Sequence, residues 1–196
     1  MDLCEIDLMT NPPVVRIPER FNAAHDLLER NLRAGRGPKV AYIDDRGSYT
    51  YGELAARVNR FANCLHALGM HMEQRVLLCL LDGIDFPTVF LGAIKAGSVP
   101  IPVNTMLSSA DYAYMLNDSR APLLVVSEAL LPQFQPILQE ARFLKHVLVS
   151  GSRENRSQMH ALSEVLAGSA DSLAGILTEV AGELRAIRQS MEGRNA

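Results

Sequence analysis

Two carboxylates, Asp82 and Asp85, stand close together in the stretch LLDGIDF. Paired carboxylates of this kind can serve as a general acid and a general base. Asp82 also suits a turn, however, and Asp85 suits the residue that caps a following helix. We therefore interpret the two residues as a turn residue and a helix cap.

The histidines and serines lack the spacings that metal sites and nucleophilic hydrolases use. The histidines are His25, His66, His71, His146 and His160. Because they form neither HxxxH nor HxxH, no metal site is predicted. Ser127 and Ser150 each follow a predicted strand, but neither stands in a G-x-S-x-G pattern, so a hydrolase triad has no support.

Glycine-rich loops that could hold phosphates are also missing. No GxGxxG follows the apolar run 75–81, where a dinucleotide-binding fold would place it. The nearest glycine–serine stretch is Gly151-Ser152-Arg153. Its composition and spacing do not suit a loop whose backbone amides and hydroxyls grip phosphate.

Composition indicates an ordinary globular protein, with 48% apolar residues, 21% charged residues and a net charge of −3. Since there is no basic stripe, no nucleic-acid partner is predicted. The apolar runs are far shorter than the roughly 20 residues of a membrane helix. The N-terminal stretch lacks the layout of a signal peptide, so we expect a cytoplasmic protein that does not enter a membrane.

The cysteines Cys4, Cys64 and Cys79 are odd in number and form no CxxC pair. We expect reduced thiols, with Cys79 packed inside a strand.

Hydrophobic periodicity predicts alternating strands and helices. The predicted strands are 40–44, 48–50, 75–81, 99–103, 123–126 and 146–149, and the predicted helices are 23–33, 51–68, 86–96, 109–117, 130–141 and 159–167. Asn22, Thr50 with Glu53, and Ser108 or Ser109 are the expected N-terminal caps. Strands separated by helices of this length imply a doubly wound, mostly parallel α/β sheet flanked by helices.

Three segments are predicted along the chain: an extended arm over 1–20, an α/β domain over 21–151, and a linker with a helical tail over 152–196. In the tail, apolar residues recur at alternating spacings of four and three across 173–192. This amphipathic pattern suits a helix that packs on the domain or one that pairs with a second helix, and a disordered tail is the third alternative.

Three stretches resemble the acyl-adenylate-forming ligases, and most of all the benzoate–CoA ligases. They are AYIDDRGSYTYGELAARVNRFANCL at 41–65, LLDGIDFPTVFLGAIKAGSVPIPVNTML at 80–107 and DYAYMLNDS at 111–119. The resemblance runs from about residue 22 to about residue 151. It implies the fold of the N-terminal subdomain of these ligases and a role in aromatic acid degradation.

The resemblance implies a two-step reaction in which ATP and benzoate form an acyl-adenylate, and coenzyme A then displaces AMP. The substrates would be benzoate, ATP and CoA, with Mg²⁺ as a cofactor of the full-length family. The family's Ser/Thr/Gly-rich phosphate loop and its late catalytic lysine match no segment here, so no catalytic residue and no cofactor are predicted in this chain.

Lys95, in GAIKAG, is the one residue to which the resemblance assigns a ligand. Some relatives place a cation at this position near the 3′-phosphate of coenzyme A. A lysine in the last turn of a helix also favours the helix dipole, so a purely structural role is the alternative.

We expect a fragment-length benzoate–CoA ligase relative that is inactive by itself. One alternative is a non-catalytic protein that self-associates through the helix 173–192. Another is a Rossmann-like nucleotide-binding module, because the predicted sheet resembles a nucleotide-binding fold without its phosphate-gripping turn.

Overall fold

A computed structural model describes residues 3–151 and 159–169. The strands are β1 (Glu5–Asp7), β2 (Val14–Arg16), β3 (Val40–Asp44), β4 (Gly47–Thr50), β5 (Arg75–Cys79), β6 (Val99–Pro102), β7 (Leu123–Ser127), β8 (His146–Ser150) and β9 (Met159–Ala161). The α-helices are α1 (Ala23–Arg33), α2 (Tyr51–Ala67), α3 (Asp85–Lys95), α4 (Ser109–Ser119), α5 (Leu131–Phe134) and α6 (Leu162–Gly168).

The main sheet has five strands in the order β6-β5-β7-β8-β9, and every neighbouring pair is parallel. The chain moves from β5 to β6 on one side, then crosses back to β7 on the other. A topological switch point therefore lies between β5 and β7. The predicted doubly wound parallel sheet is confirmed.

Each face of the sheet is buried by its own set of helices. Val76 and Leu78 of β5 pack with residues of α2, α3 and α6. Leu77 and Cys79 point the other way and pack with α4 and α5. The apolar run in β5 is continuous because both of its faces are covered.

The predicted helix caps at Asn22, Thr50 and Ser108 are confirmed. Asn22 accepts a hydrogen bond from the His25 amide, and Ser108 caps α4. Thr50 and Glu53 form a reciprocal capping box at the start of α2. Gly97 takes a positive φ of 81° just after α3, a left-handed conformation that commonly ends a helix.

Two predicted helices are wrong in part. The segment 130–141 is split into the 3₁₀ turn Glu128–Leu130, the single α-turn of α5, and a second 3₁₀ segment, Gln135–Glu140. Pro136 has no N–H to donate and disfavours helical geometry at the residue before it, so the α-helix ends there. Residues 159–161 form the strand β9, because they pair with β8 before α6 begins.

The N-terminal arm folds back on itself as an antiparallel hairpin of β1 and β2. It is attached to α1, since the Cys4 amide donates to Asp26 at 2.7 Å and Arg30 donates to the Cys4 carbonyl. The predicted domain boundaries remain predictions, and the helix predicted over 173–192 lies outside the described residues. Within 3–151 and 159–169, the helices are too short or too polar to span a bilayer.

Candidate functional site

A crevice opens where the carboxyl ends of β5, β7 and β8 meet. Its walls are residues 81–83 after β5, 127–129 after β7 and 150–151 after β8, with Arg46 and Asp85 completing it. Its volume is about 330 Å³. Doubly wound folds usually bind ligands at the carboxyl edge beside the switch point, so this carboxyl-edge crevice is the candidate site.

The loops that form the crevice are held together by a serine at the end of β7. Ser127 accepts a hydrogen bond from the Leu81 amide at 2.9 Å, which joins the loop after β5 to the end of β7. Ser127 thus supports the crevice wall. From the sequence, Ser127 was examined only as a candidate nucleophile. Its role in joining the two loops is visible only in the structure.

Asp85 connects four elements at the base of the crevice. Its carboxylate accepts hydrogen bonds from Arg57 on α2, from Arg46 in the β3–β4 turn at 3.1 Å, and from the Ser150 hydroxyl at 2.7 Å. Both carboxylate oxygens therefore have charged or hydroxyl donors. This buried carboxylate therefore organises the site.

The predicted helix-capping role of Asp85 is wrong. Asp85 is the first residue of α3, and the residue before it, Ile84, has no side chain that could cap. Asp44 of β3 fixes the residue before the helix, because its carboxylate accepts the Ile84 amide at 2.8 Å. Asp85 is turned instead toward the two arginines, whose charge its buried carboxylate needs.

Backbone amides lower the pKa of the Asp44 carboxyl, with the Ile84 N–H as the largest cause. The amides of Arg46 and Gly47 and the charge of Arg46 act in the same direction and outweigh the opposing effect of burial. An ionised Asp44 therefore fixes both the β3–β4 turn and the start of α3. Asp82 also lines the crevice, but it stands outside the hydrogen bonds that surround Asp85.

Lys95 lies at the other end of α3 from the crevice. The helix has 11 residues, so Lys95 is about 15 Å from Asp85 along its axis. The Asn22 side chain donates to the Ile94 carbonyl at 2.7 Å and holds this end of α3 against the start of α1. Burial lowers the pKa of Lys95, and the nearby Glu29 partly opposes that effect.

The structure therefore does not bring Lys95 into the carboxyl-edge crevice. A role of Lys95 in binding a coenzyme A phosphate remains a prediction. Any ligand that touched both places would have to extend along the length of α3.

Sequence reasoning missed the arginines that surround Asp85. On α2, Arg57 lies at the border of the buried face that includes Leu54 and Val58. A charged residue at the border of a buried face indicates that it has a buried partner of opposite charge. Nothing in the sequence around Arg46 indicated a buried partner, because Arg46 belongs to a polar turn.

The buried cysteines do not add a nucleophile. Burial raises the pKa of the Cys64 thiol to about 12, and it also raises that of Cys79. In 3–151 and 159–169, no group of three or more His, Cys, Asp or Glu side chains is arranged to hold a metal ion.

Known proteins similar to this chain include aryl-CoA ligases. It is 58% identical over 146 residues to a benzoate–CoA ligase of Thauera aromatica. It is 40% identical over 131 residues to a 4-hydroxybenzoate–CoA/benzoate–CoA ligase of Rhodopseudomonas palustris. These matches cover 74% and 67% of this chain.

Solved structures show the same architecture. A benzoate CoA ligase from Burkholderia xenovorans LB400 superposes with a TM-score of 0.69 at 40% identity, over 78% of this chain and 29% of the ligase. An anthranilate CoA ligase solved with anthranoyl-AMP superposes with a TM-score of 0.76 at 29% identity, over 80% of this chain and 30% of the ligase. The fold is therefore that of the N-terminal part of adenylate-forming ligases.

The chain spans 28% of the Thauera ligase and 24% of the Rhodopseudomonas ligase. The shared region is thus the benzoate–CoA-ligase-like N-terminal portion of a much longer enzyme. A sequence model described as AMP-binding enzyme matches residues 28–178. The match covers most of the chain, and the chain therefore belongs to the AMP-binding enzyme family.

Proposed function

We propose that this chain supplies the N-terminal part of a benzoate–CoA ligase, or of a ligase for a closely related aryl acid. The overall reaction would convert ATP, benzoate and CoA to benzoyl-CoA, AMP and diphosphate. The observation that carries the proposal is the 58% identity to the Thauera benzoate–CoA ligase over 146 residues. The 40% identity to the Burkholderia enzyme, together with the shared fold, supports it.

This chain would contribute architecture and a possible CoA contact to that reaction. The sheet and the Asp85 cluster shape the N-terminal side of the enzyme, and Lys95 would meet a phosphate of coenzyme A. The residues present do not fit a Mg²⁺–ATP site, because no described acidic cluster suits a metal and no Ser/Thr/Gly-rich loop occurs in the sequence. We assign no chemical step to them.

A chimeric enzyme tests the family role directly. The region of the Thauera ligase that matches this chain would be replaced by the corresponding residues of this protein. We expect the chimera to form benzoyl-CoA, since the exchanged parts are 58% identical over 146 residues. A folded chimera without activity, measured beside the intact Thauera ligase, would contradict the proposal.

The 196 residues alone are expected to be inactive. Pyrophosphate release would be followed with benzoate, ATP, Mg²⁺ and CoA. Robust turnover by the purified chain would overturn this part of the proposal while leaving the family assignment intact.

Lys95 can be tested in the same chimera. Lys95→Gln should raise the KM for CoA and leave the KM values for benzoate and ATP unchanged. Lys145→Gln, at an exposed lysine before β8, is the matched control. Equal CoA kinetics in both variants would assign Lys95 a structural role only.

A further inference from the structure

We propose that Lys95 is a modification site, whose amine takes an acyl group from an acyl phosphate in preference to the other lysines of the chain. The chain has two others, Lys39 and Lys145, and both are exposed. Lys95 is half-buried at the last residue of α3. The chain therefore presents one partly desolvated amine beside two solvated ones.

The backbone at Lys95 belongs to a fixed contact between two helices. The Asn22 side chain donates to the Ile94 carbonyl at 2.7 Å and to the Lys95 carbonyl at 3.5 Å, which joins the end of α3 to the start of α1. The Ala96 amide closes the last turn of α3 by donating to the Gly92 carbonyl at 3.0 Å. The partial burial of Lys95 is thus a property of the packed α1–α3 pair.

The ammonium group of Lys95 lacks the partner that a partly buried charge usually has. Within 3–151 and 159–169, it forms no hydrogen bond and no ion pair. The carboxylate that acts on it is Glu29 of α1, but Glu29 accepts a hydrogen bond from Arg33 at 2.9 Å. Because Glu29 is shared with a guanidinium, it compensates the charge of Lys95 only in part.

These surroundings favour the neutral amine. Burial lowers the pKa of Lys95, and the charge of Glu29 opposes this effect without cancelling it. Among the described residues, Glu29 is the one charged group that acts on Lys95 in this way, while His25 and Arg33 of α1 act on Glu29. A larger share of the amine is therefore unprotonated near pH 8 than in a solvated lysine, and the unprotonated amine is the nucleophile.

The acylation itself needs only the lysine, the acyl phosphate and water. The ammonium loses a proton to water, and the nitrogen lone pair attacks the carbonyl carbon of the acyl phosphate. The C–N bond of an amide forms, the C–O bond to phosphate breaks, and phosphate leaves with the bonding electrons. A second proton passes from nitrogen to water. The product is uncharged, so the cost of holding a half-buried charge is removed.

This inference does not rest on the proposed ligase function. The reactivity of the amine is measured on the 196 residues alone and without coenzyme A. In a ligase, acylation would remove the charge that Lys95 is proposed to offer to a phosphate of coenzyme A.

Competitive acetylation of the whole chain measures the three lysines in one reaction. A small amount of acetyl phosphate is added at pH 8 and at pH 10, and peptide mass spectrometry follows each lysine. The same treatment of urea-denatured chain corrects for the intrinsic reactivity of each peptide. At pH 8 we expect acetylation of Lys95 to exceed that of Lys39 and Lys145 by at least about threefold. The excess should shrink at pH 10, where solvated lysines also lose their protons.

Glu29→Gln tests the electrostatic argument. Without this carboxylate, Lys95 loses the charge that opposes the effect of burial, so its acetylation at pH 8 should become about twofold faster. Lys39 and Lys145 should react as before. Glu140→Gln, at an exposed glutamate at the end of the segment Gln135–Glu140, is the matched control and should change none of the three rates.

Three results would overturn the proposal. They are slower acetylation of Lys95 than of both exposed lysines, an excess at Lys95 that is equal at pH 8 and pH 10, and no acceleration in a folded Glu29→Gln variant. Circular dichroism verifies the fold of each variant. If Glu29→Gln does not fold, the ratios at the two pH values in the unaltered chain decide the question. None of these outcomes bears on the ligase chimera.

Discussion

Gly92 on α3 is the position where a single added methyl group should disturb the fold most clearly. A Cβ placed there would lie 2.8 Å from Cδ1 of Phe61, 3.0 Å from its Cβ and 3.0 Å from the Val58 carbonyl oxygen. Carbon atoms normally approach to roughly 3.5–4.0 Å. Phe61 is fully buried and the Val58 oxygen is backbone, so neither can move aside easily.

Two opposing effects decide the magnitude for Gly92→Ala. Overpacking a core typically costs about 1–3 kcal/mol. Alanine is preferred over glycine inside a helix by about 1 kcal/mol. Because the contacts are severe, we expect the free energy of unfolding to fall by about 1–2 kcal/mol.

Urea denaturation followed by circular dichroism measures this change, and Gly52→Ala is the matched control. Gly52 also lies in a helix, but a Cβ there would be 3.5 Å from its nearest atom, the Gly37 oxygen, which is an ordinary contact. We expect that variant to be unchanged or slightly more stable. If Gly92→Ala stabilised the protein as Gly52→Ala does, the inferred close contact between α2 and α3 would be wrong.

Three further predictions concern charges and thiols. Asp85→Asn should lower the free energy of unfolding by about 2–3 kcal/mol in urea, because two arginines lose their buried carboxylate, whereas Asp82→Asn should change it by less than about 0.5 kcal/mol. Ellman's reagent at pH 8 should react with Cys4, which is half-buried, and not with Cys64, whose pKa burial raises to about 12; fast loss of the Cys64 thiol would refute its burial. The lowered pKa of Asp44 means that its contribution to stability is present above the ordinary carboxyl pKa and is lost as the pH falls through the folded value. Asp44→Asn should therefore lose less stability than the unaltered chain between pH 6 and pH 3, and equal losses in the two proteins would contradict this assignment.

The predictable parts of the fold were those set by neighbours in the sequence. Thr50 and Glu53 satisfy each other's backbone partners within one helical turn, so the start of α2 could be placed. The strand at β5 could be read because a continuous apolar run of that length suits a strand covered on both faces. Both features depend on local composition alone.

The Asp85 cluster could not be predicted because its partners are far away along the chain. Arg57, Arg46 and Ser150 lie 28, 39 and 65 residues from Asp85. Local rules assign an aspartate at a helix start to capping, and only the folded sheet brings β8 and the β3–β4 turn to the same place. The strand β9 was missed for a related reason, since three residues carry too little pattern to reveal a strand that forms by pairing with β8.

The sequence features that most resemble the ligases have structural explanations. Gly92 permits the close approach of α3 to α2, and Gly97 adopts a positive φ. In β6, the amides of Val99 and Val103 point toward β5, so Pro100 and Pro102 fall at the alternate positions that face outward. A proline has no N–H, so this edge of the sheet offers few donors to a further strand.

These glycines and prolines determine the path of the backbone and prevent further strands from pairing with the edge strand β6. They do not determine which reaction the protein catalyses. A ligase relative can therefore share them closely without sharing a catalytic residue, because packing and catalysis make separate demands on the sequence. The most family-like segment identifies the architecture. The charged residues around Asp85, which the resemblance did not single out, join α2, α3, β8 and the β3–β4 turn at the carboxyl edge of the sheet.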